Sequence, residues 1–197
     1  MKNNLILSLY QNSKTVFTIK EVSQLFPDLS YQSLKDRLSY AVKTKKLLKP
    51  RRGVYTKINF NFLELANKIY TPSYISLETV LLKEGLIFQE KKEITLVSYL
   101  TRTIKINNEI IISYRKIKDE ILNNLKGIKK ENYYFIAEKE RAFLDALFVF
   151  KDFHFDNLNL NWEKVFELVK IYKSKSLEKR VFEYYQIFKN ENKNENV

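Results

Sequence analysis

The segment Leu47-Leu48-Lys49-Pro50-Arg51-Arg52-Gly53-Val54-Tyr55 decides the fold of the N-terminal part of this chain. It follows a stretch with the apolar spacing of an amphipathic helix, and it joins two apolar residues to a proline, two arginines and Gly-Val-Tyr. Glycine readily adopts the positive φ that a tight hairpin requires. The segment therefore predicts a small β-hairpin, or wing, directly after a helix.

The residues before this segment predict two consecutive helices. A capping box, formed by Thr18 and Glu21, begins the first helix, and a proline ends it. Ser30 caps the second helix, which we expect to run from about residue 31 to 46. Two helices joined by a tight turn and followed by a wing are the parts of a winged helix-turn-helix. We therefore expect residues 1–57 to form a DNA-binding domain of this kind.

Positive charge is concentrated in the same residues. Residues 1–57 hold 12 Lys and Arg against 3 Asp and Glu, a net charge of +9, whereas the whole chain carries +12. The remaining residues therefore contribute only +3. A local excess of this kind is the electrostatic footprint of a protein that binds a phosphate backbone.

The candidate DNA contacts lie on the second helix and on the wing. In a winged helix-turn-helix the second helix enters the major groove and its N-terminal residues reach base edges. Arginines at the tip of the wing would reach phosphates or the minor groove. The candidates are Tyr31, Gln32, Ser33, Lys35, Arg37, Tyr40, Lys49, Arg51, Arg52 and Tyr55. The alternative, a solvated basic helix face, does not explain why the turn, the wing and the charge excess coincide.

The rest of the chain, residues 58–197, predicts a mixed α/β domain with a small sheet and flanking helices, so the fold class of the whole is α+β. We expect a linker helix at 59–70 and one helix between Pro72 and Gly85. Further along, the pattern predicts strands at 94–99, 102–106, 109–116 and 133–136, a hairpin turn at Asn107-Asn108, helices at 138–148, 160–172 and 176–189, and a frayed tail at 190–197.

Several blocks of the chain, in order between residues 15 and 150, resemble one protein family. They are Arg52-Gly-Val-Tyr55, Pro72-Ser-Tyr-Ile-Ser-Leu-Glu78, Gly85-Leu-Ile87, Ile136-Ala137 and Glu140-Arg-Ala-Phe-Leu-Asp145. This pattern resembles the AbiEi antitoxin and transcriptional-regulator family of abortive-infection (type IV) toxin–antitoxin systems. The chain departs from that pattern at Arg141, where a lysine is common.

The resemblance implies a function for each domain. It implies a two-gene operon whose other product is a nucleotidyltransferase-like toxin. The winged domain would bind double-stranded DNA at its own promoter and repress it, and the C-terminal domain would oppose the toxin, by direct contact or indirectly. The residues alone leave two alternatives open. One is a stand-alone winged-helix regulator whose C-terminal domain senses a small molecule, and the other is a DNA-binding nuclease.

The nuclease alternative depends on Glu138, Glu140 and Asp145. A Mg²⁺ site needs carboxylates that converge from a strand and its neighbours. Glu138 and Glu140 lie two residues apart on a predicted helix and should diverge, whereas Glu138, Arg141 and Asp145 have the spacing of a salt-bridged helix face. We therefore expect no enzymatic activity.

Composition argues against bound metals, cofactors and membrane insertion. The chain has no cysteine, a single histidine (His154) and three glycines. A zinc site and a glycine-rich phosphate loop need more of these residues than the chain has, and no Ser or Cys nucleophile motif accompanies His154 to form a catalytic triad. The N-terminal apolar run is too short for a signal peptide, and no apolar stretch approaches the roughly 20 residues that span a bilayer. We expect a cytoplasmic protein without metal or cofactor.

Overall fold

The computed structural model describes residues 4–89, 93–106 and 110–194. The chain divides into two compact units, Met1–Tyr70 and Thr71–Val197. The boundary therefore lies after Tyr70, and not after Lys57 as the sequence suggested. The N-terminal unit defined in this way still carries +9, from 13 Lys and Arg against 4 Asp and Glu.

The later boundary has a specific cause in helix α4 (Phe62–Ile69). The carboxylate of Glu64 on this helix is buried, and it accepts hydrogen bonds from the backbone N–H groups of Thr15 at 3.0 Å and Val16 at 3.2 Å. A buried carboxylate is stable only when it is hydrogen-bonded in this way. Helix α4 is thus part of the N-terminal unit, and the prediction that it is a linker is wrong.

The N-terminal unit combines helices with one small sheet. Its elements are α1 (Leu5–Gln11), β1 (Val16–Thr18), α2 (Ile19–Leu25), α3 (Tyr31–Lys43), β2 (Leu48–Arg51), β3 (Val54–Thr56) and α4. The strands form an antiparallel sheet in the order β1-β3-β2. Its core consists of Leu5, Leu9, Phe17, Val22, Phe26, Leu34, Leu38, Ala41, Leu47 and Tyr55.

The predicted caps of α2 and α3 are confirmed. The Thr18 side chain accepts from the Glu21 N–H while Glu21 reaches back to Thr18, and Ser30 accepts from the Ser33 N–H. Helix α3 ends three residues before the predicted position. The reason is that Lys45 has a left-handed backbone, with φ of 56°, which closes the helix end.

The predicted hairpin is formed by β2 and β3. Arg51 pairs with Val54, so the turn consists of Arg52 and Gly53. Gly53 has φ of +79°, and a side chain at this position would meet no atom within 4 Å. Backbone conformation, and not packing, therefore requires glycine here. The register of β2 shifts between Leu48 and Arg51, and Pro50, which has no N–H, is tolerated in this irregular edge strand.

The C-terminal unit is built on a mixed sheet. Its elements are β4 (Ser73–Ile75), α5 (Glu78–Lys83), β5 (Glu93–Ser98), β6 (Arg102–Ile106), β7 (Ile110–Lys116), α6 (Asp119–Leu122), β8 (Ile128–Glu131), β9 (Tyr134–Ala137), α7 (Lys139–Phe150), α8 (Trp162–Leu168), a 3-10 turn (Val169–Tyr172) and α9 (Lys175–Asn194). The strand order is β6-β7-β5-β4-β9-β8. The pairs β4–β9 and β5–β7 are parallel, and the other pairs are antiparallel.

The structure corrects the predicted helix between Pro72 and Gly85. Its first part is strand β4, which pairs with β5 on one side and β9 on the other. The helix α5 that follows has six residues and begins after Leu77, whose φ is +58°. Pairing with strands that are distant in sequence therefore determines the secondary structure of this segment.

Smaller differences follow in the same unit. Strand β8 and the short helix α6 were not predicted, and the predicted helix 160–172 divides into α8 and a 3-10 turn. Helix α9 continues to Asn194, into the segment expected to fray. The predicted turn at Asn107-Asn108 lies outside the described residues. The α+β fold class and the strands β5, β6, β7 and β9 are confirmed.

None of the helices within the described ranges is both long enough and apolar enough to cross a membrane.

Candidate nucleic-acid interface

Helix α3 has a buried apolar inner face and an exposed polar outer face. Leu34, Leu38 and Ala41 bury the inner face of the helix. With successive residues about 100° apart, the opposite side carries Gln32, Asp36, Ser39 and Lys43. All four of these side chains are exposed.

The candidate residues of α3 are accessible on this outer face and on its flanks. Gln32, Lys35 and Arg37 are exposed, and the aromatic rings of Tyr31 and Tyr40 are exposed to 60% and 66%. Ser33 is half-buried, and its backbone N–H donates a hydrogen bond to the hydroxyl of Ser30 at 3.2 Å. The helix therefore offers cationic, amide and phenolic groups to a partner.

The hairpin presents its cations unequally. Lys49 and Arg52 are exposed, whereas Arg51 is half-buried. The guanidinium of Arg51 lies over the ring of Tyr70, 4.5 Å from its centroid. A cation–π contact of this kind holds the arginine in place. Arg52, in the turn itself, is therefore the more exposed of the two arginines of the hairpin.

The structure removes Tyr55 from the candidate contacts. Its side chain is 3% exposed and belongs to the core of the N-terminal unit. The cause is the position of β3 in the middle of the sheet, between β1 and β2. Burial, and then the nearby Tyr31, raise the pKa of the Tyr55 phenol. This side chain cannot reach a DNA groove without leaving the core.

Three exposed residues of α3, Asp36, Ser39 and Lys43, were missing from the sequence-based candidates. They lie on the outer face together with Gln32, and helical periodicity alone places them there. The Nε2 of Gln32 donates a hydrogen bond to the Oδ1 of Asp36 at 2.9 Å. The charge count directed the prediction towards cations and away from this carboxylate.

Two of the sequence blocks noted above, residues 72–78 and 140–145, meet in the interior of the C-terminal unit. Arg141 and Asp145 are both fully buried, with 3.5 Å between Nε and Oδ1. The carboxylate of Asp145 accepts hydrogen bonds from the hydroxyls of Tyr172 at 2.6 Å, Ser76 at 2.8 Å and Tyr74 at 3.1 Å. We call these five residues the buried network.

Both charges of the buried network have hydrogen-bond partners, although the Nε of Arg141 itself makes no hydrogen bond. Arg141 donates to the carbonyl oxygens of Ile121 at 2.8 Å and Lys126 at 2.9 Å. Burial raises the pKa of Asp145, while Arg141 and the three hydroxyl donors act in the opposite direction. Burial and the Asp145 charge raise the pKa of Tyr74 and Tyr172 well above 10.0. The network is inaccessible to a substrate, so its role is to hold the unit together.

The acidic residues of the nuclease alternative are arranged differently from the prediction. Glu138 and Glu140 do not diverge, because Glu138 is the extended N-cap of α7. Both carboxylates contact the Nζ of Lys164, at 2.8 and 3.4 Å. Asp145 belongs instead to the buried network. Within the described ranges, no group of three His, Asp or Glu side chains is placed to hold a metal ion.

The single histidine, His154, has a side chain that is 89% exposed, and its Nε2 lies 3.8 Å from the carboxylate of Asp156.

The exposed side chains of the N-terminal unit described above are mainly cationic and hydrogen-bonding groups. Comparison of the chain with known proteins gave no matching family model and no matching curated protein.

Proposed function

We propose that the N-terminal unit is a winged helix-turn-helix that binds double-stranded DNA, and that the protein represses its own promoter. The observation that carries the proposal is the concentration of charge, +9 within residues 1–70 of a chain that carries +12. The order of α1, β1, α2, α3 and the β2–β3 hairpin supports it. Helix α3 would be the recognition helix and the hairpin would be the wing.

The dimensions and charges of α3 suit the major groove. Its 13 residues make a helix about 20 Å long, and the groove, about 12 Å wide, admits a helix. The exposed cations Lys35, Arg37 and Lys43 lie at the sides and end of the outer face, where phosphates would flank the groove. Lys49 and Arg52 on the hairpin extend the same cationic surface. Contacts of this type fix the register of a protein on DNA.

For the C-terminal unit we propose the role of an antitoxin that opposes a nucleotidyltransferase-like toxin. The support is the resemblance to the AbiEi family, together with the nearly balanced charge of the unit. Because the buried network occupies the most specific motif residues, its contribution would be to the stability of the unit. Its accessible surface, and not this motif, would carry out the antitoxin function. We propose no catalytic activity for the chain.

One observation favours a ligand-sensing regulator as the second candidate. A groove of about 600 Å³ lies between residues 151–158 and helix α9. Its volume is within the range of small-molecule sites. Its lining mixes Lys151, Asp152 and Arg180 with aromatic rings, and so does not select one ligand class. Whether the neighbouring gene encodes a nucleotidyltransferase-like protein separates the two candidates.

A salt titration of the full-length protein on the DNA upstream of its own gene tests DNA binding. Each neutralised phosphate releases counterions, so the logarithm of the affinity should fall linearly with the logarithm of the salt concentration, with a slope of about −0.9 per phosphate contact. Changing both Lys49 and Arg52 to Ala should weaken binding to all sequences and reduce the slope by about 2.

The matched control removes two charges from the other unit, through Lys130→Ala and Lys175→Ala. Both of these lysines are exposed, and the proposal expects the affinity and the slope to stay at the wild-type values. Absence of salt-dependent binding by the wild-type protein would contradict the proposal. An equal loss in the control pair would show that net charge, and not the N-terminal unit, is responsible.

A further inference from the structure

The hydrogen bond between Gln32 and Asp36 lies on the N-terminal half of the outer face of α3. The two residues are four apart, so they are neighbours along one side of the helix, and both are exposed. Helix α3 holds no other acidic residue. The N-terminal residues of a recognition helix are the ones that reach base edges, so this pair lies where the proposed helix α3 would contact bases.

The carboxylate fixes the orientation of the amide. An ionised carboxylate can only accept hydrogen bonds, whereas a glutamine amide has two N–H donors and one carbonyl acceptor. Gln32 must therefore turn its Nε2 towards Asp36, which lies at 2.9 Å. The second N–H of Nε2 and the Oε1 acceptor then remain for an outside partner. Without the carboxylate, the amide could rotate and exchange the positions of its donor and acceptor.

We infer that Gln32, positioned by Asp36, reads an adenine in the major groove; the inference rests on the proposed recognition role of α3. Adenine presents an N7 acceptor beside an N6 donor, which complements one N–H and one carbonyl oxygen of a glutamine. Guanine presents two acceptors, N7 and O6, in the same places. Gln32 can satisfy only one of them.

Asp36 adds a second reason for this choice of base. A carboxylate is repelled by phosphates and by base acceptors, whereas a base edge that carries an amino group can donate a hydrogen bond to it. Beside Gln32 it would repel the O6 and N7 of a guanine, and it would not oppose the amino group of an adenine. Attraction to one base and repulsion of another both contribute to specificity. Asp36 is therefore a positioning and discriminating residue.

The experiment begins with selection of duplexes from a random pool by the full-length wild-type protein. The selected duplex is then altered at each A·T pair, to G·C in one set and to 7-deazaadenine in another, which removes only the N7 acceptor. We expect one adenine at which both changes weaken binding. A bidentate base contact should make the change to G·C cost roughly 5- to 150-fold in affinity.

Variants of Gln32 and Asp36 then test whether these two residues recognise that adenine. Gln32→Ala should abolish the preference. Asp36→Asn should weaken the adenine preference, because asparagine can donate as well as accept and no longer fixes the orientation of the Gln32 amide. The same variant should raise affinity for all duplexes, because it removes a negative charge. Asp36→Glu, which keeps a carboxylate at this position, should retain part of the preference that Asp36→Asn loses. Asp28→Asn, which removes an exposed charge outside α3, should raise general affinity and leave the preference at the wild-type value.

Several results would overturn the inference. If Gln32→Ala leaves the adenine preference intact, another residue reads that base. If only Gln32→Ala changes the preference and Asp36→Asn does not, the carboxylate has no positioning role. Binding of DNA without any adenine dependence refutes this inference and leaves the proposed function standing, whereas failure to bind any duplex refutes both. Thermal melting of each variant confirms that it is folded.

Discussion

Arg141 is fully buried, and the groups around it explain why its charge is tolerated. Transfer of an arginine and an aspartate out of water is costly, and their mutual attraction compensates only when additional hydrogen bonds satisfy the remaining donors and acceptors. Here the carbonyl oxygens of Ile121 and Lys126 accept hydrogen bonds from the two terminal nitrogens of Arg141, and three hydroxyls donate to Asp145. The Nε of Arg141 makes no hydrogen bond and has only the charge of Asp145 nearby. The sequence predicted an i, i+4 pair at this position but gave no indication that it would be buried.

Removing the cation from the buried network should destabilise the protein strongly. Arg141→Leu leaves Asp145 buried without its counter-ion, which should lower the free energy of unfolding by about 3–5 kcal/mol. Arg141→Lys keeps the charge but lacks the planar fork that reaches two carbonyl groups, so its loss should be smaller. Urea denaturation measures both.

The control is Glu167→Gln, which breaks the ion pair between Glu167 and Lys126. The side chains of Lys126 and Glu167 are 66% and 64% exposed, respectively. A solvent-screened pair contributes less than about 1 kcal/mol. Losses of equal size in Arg141→Leu and Glu167→Gln would show that the buried network does not contribute to stability as its geometry indicates.

Elements that depend on local signals were predictable from the sequence, and elements that depend on long-range pairing were not. Helices α2 and α3 have capping residues and apolar spacing that act within a few residues of each other, and both were predicted. Strand β4 has three residues between a proline and a short helix, and it forms because β5 and β9 lie on either side of it. No window around β4 contains that information.

The same distinction applies to the candidate interface. Helical periodicity predicted which residues of α3 are exposed, because one buried stripe fixes the opposite face. It did not predict that Tyr55 would be buried, since this depends on β3 lying between two other strands. Arg51 was expected at the tip of the wing, and its contact with Tyr70 depends on helix α4, which the sequence had suggested was a linker.

The start of α2 should make the stability of the protein pH-dependent. Burial alone would raise the pKa of Glu21, but hydrogen bonds from Lys68, the Thr18 backbone and Lys14 outweigh it and lower this pKa from 4.5 to about 2. A carboxyl group whose pKa is lower in the folded state stabilises the protein above the unfolded pKa. This contribution should be present above about pH 4.5 and should be lost as the pH falls towards 2.

Glu21→Gln isolates this contribution, because glutamine can also complete a capping box. The variant should lose on the order of 1 kcal/mol at pH 7, and the difference from wild type should shrink as the pH falls from 4.5 towards 2. Urea denaturation at a series of pH values measures it. A difference that stays constant over this range would show that the helix cap, and not the charge, is responsible.

At the scale of the whole molecule, charge and packing divide the chain at the same place. Residues 1–70 have their own core and carry +9, whereas residues 71–197 have a separate sheet and carry +3. This division predicts that promoter repression and toxin neutralisation can be separated by mutation.

Full-length protein with Lys49→Ala and Arg52→Ala should therefore repress a promoter reporter poorly while it still rescues growth from the cognate toxin. Residues 71–197 alone should rescue growth without repression, since the proposed antitoxin surface lies wholly within them. Residues 1–70 should bind DNA and rescue nothing. Growth and reporter signal, measured in the same strains, test all three. Rescue by residues 1–70 alone would assign neutralisation to the N-terminal unit and leave the C-terminal unit as a sensing or assembly domain.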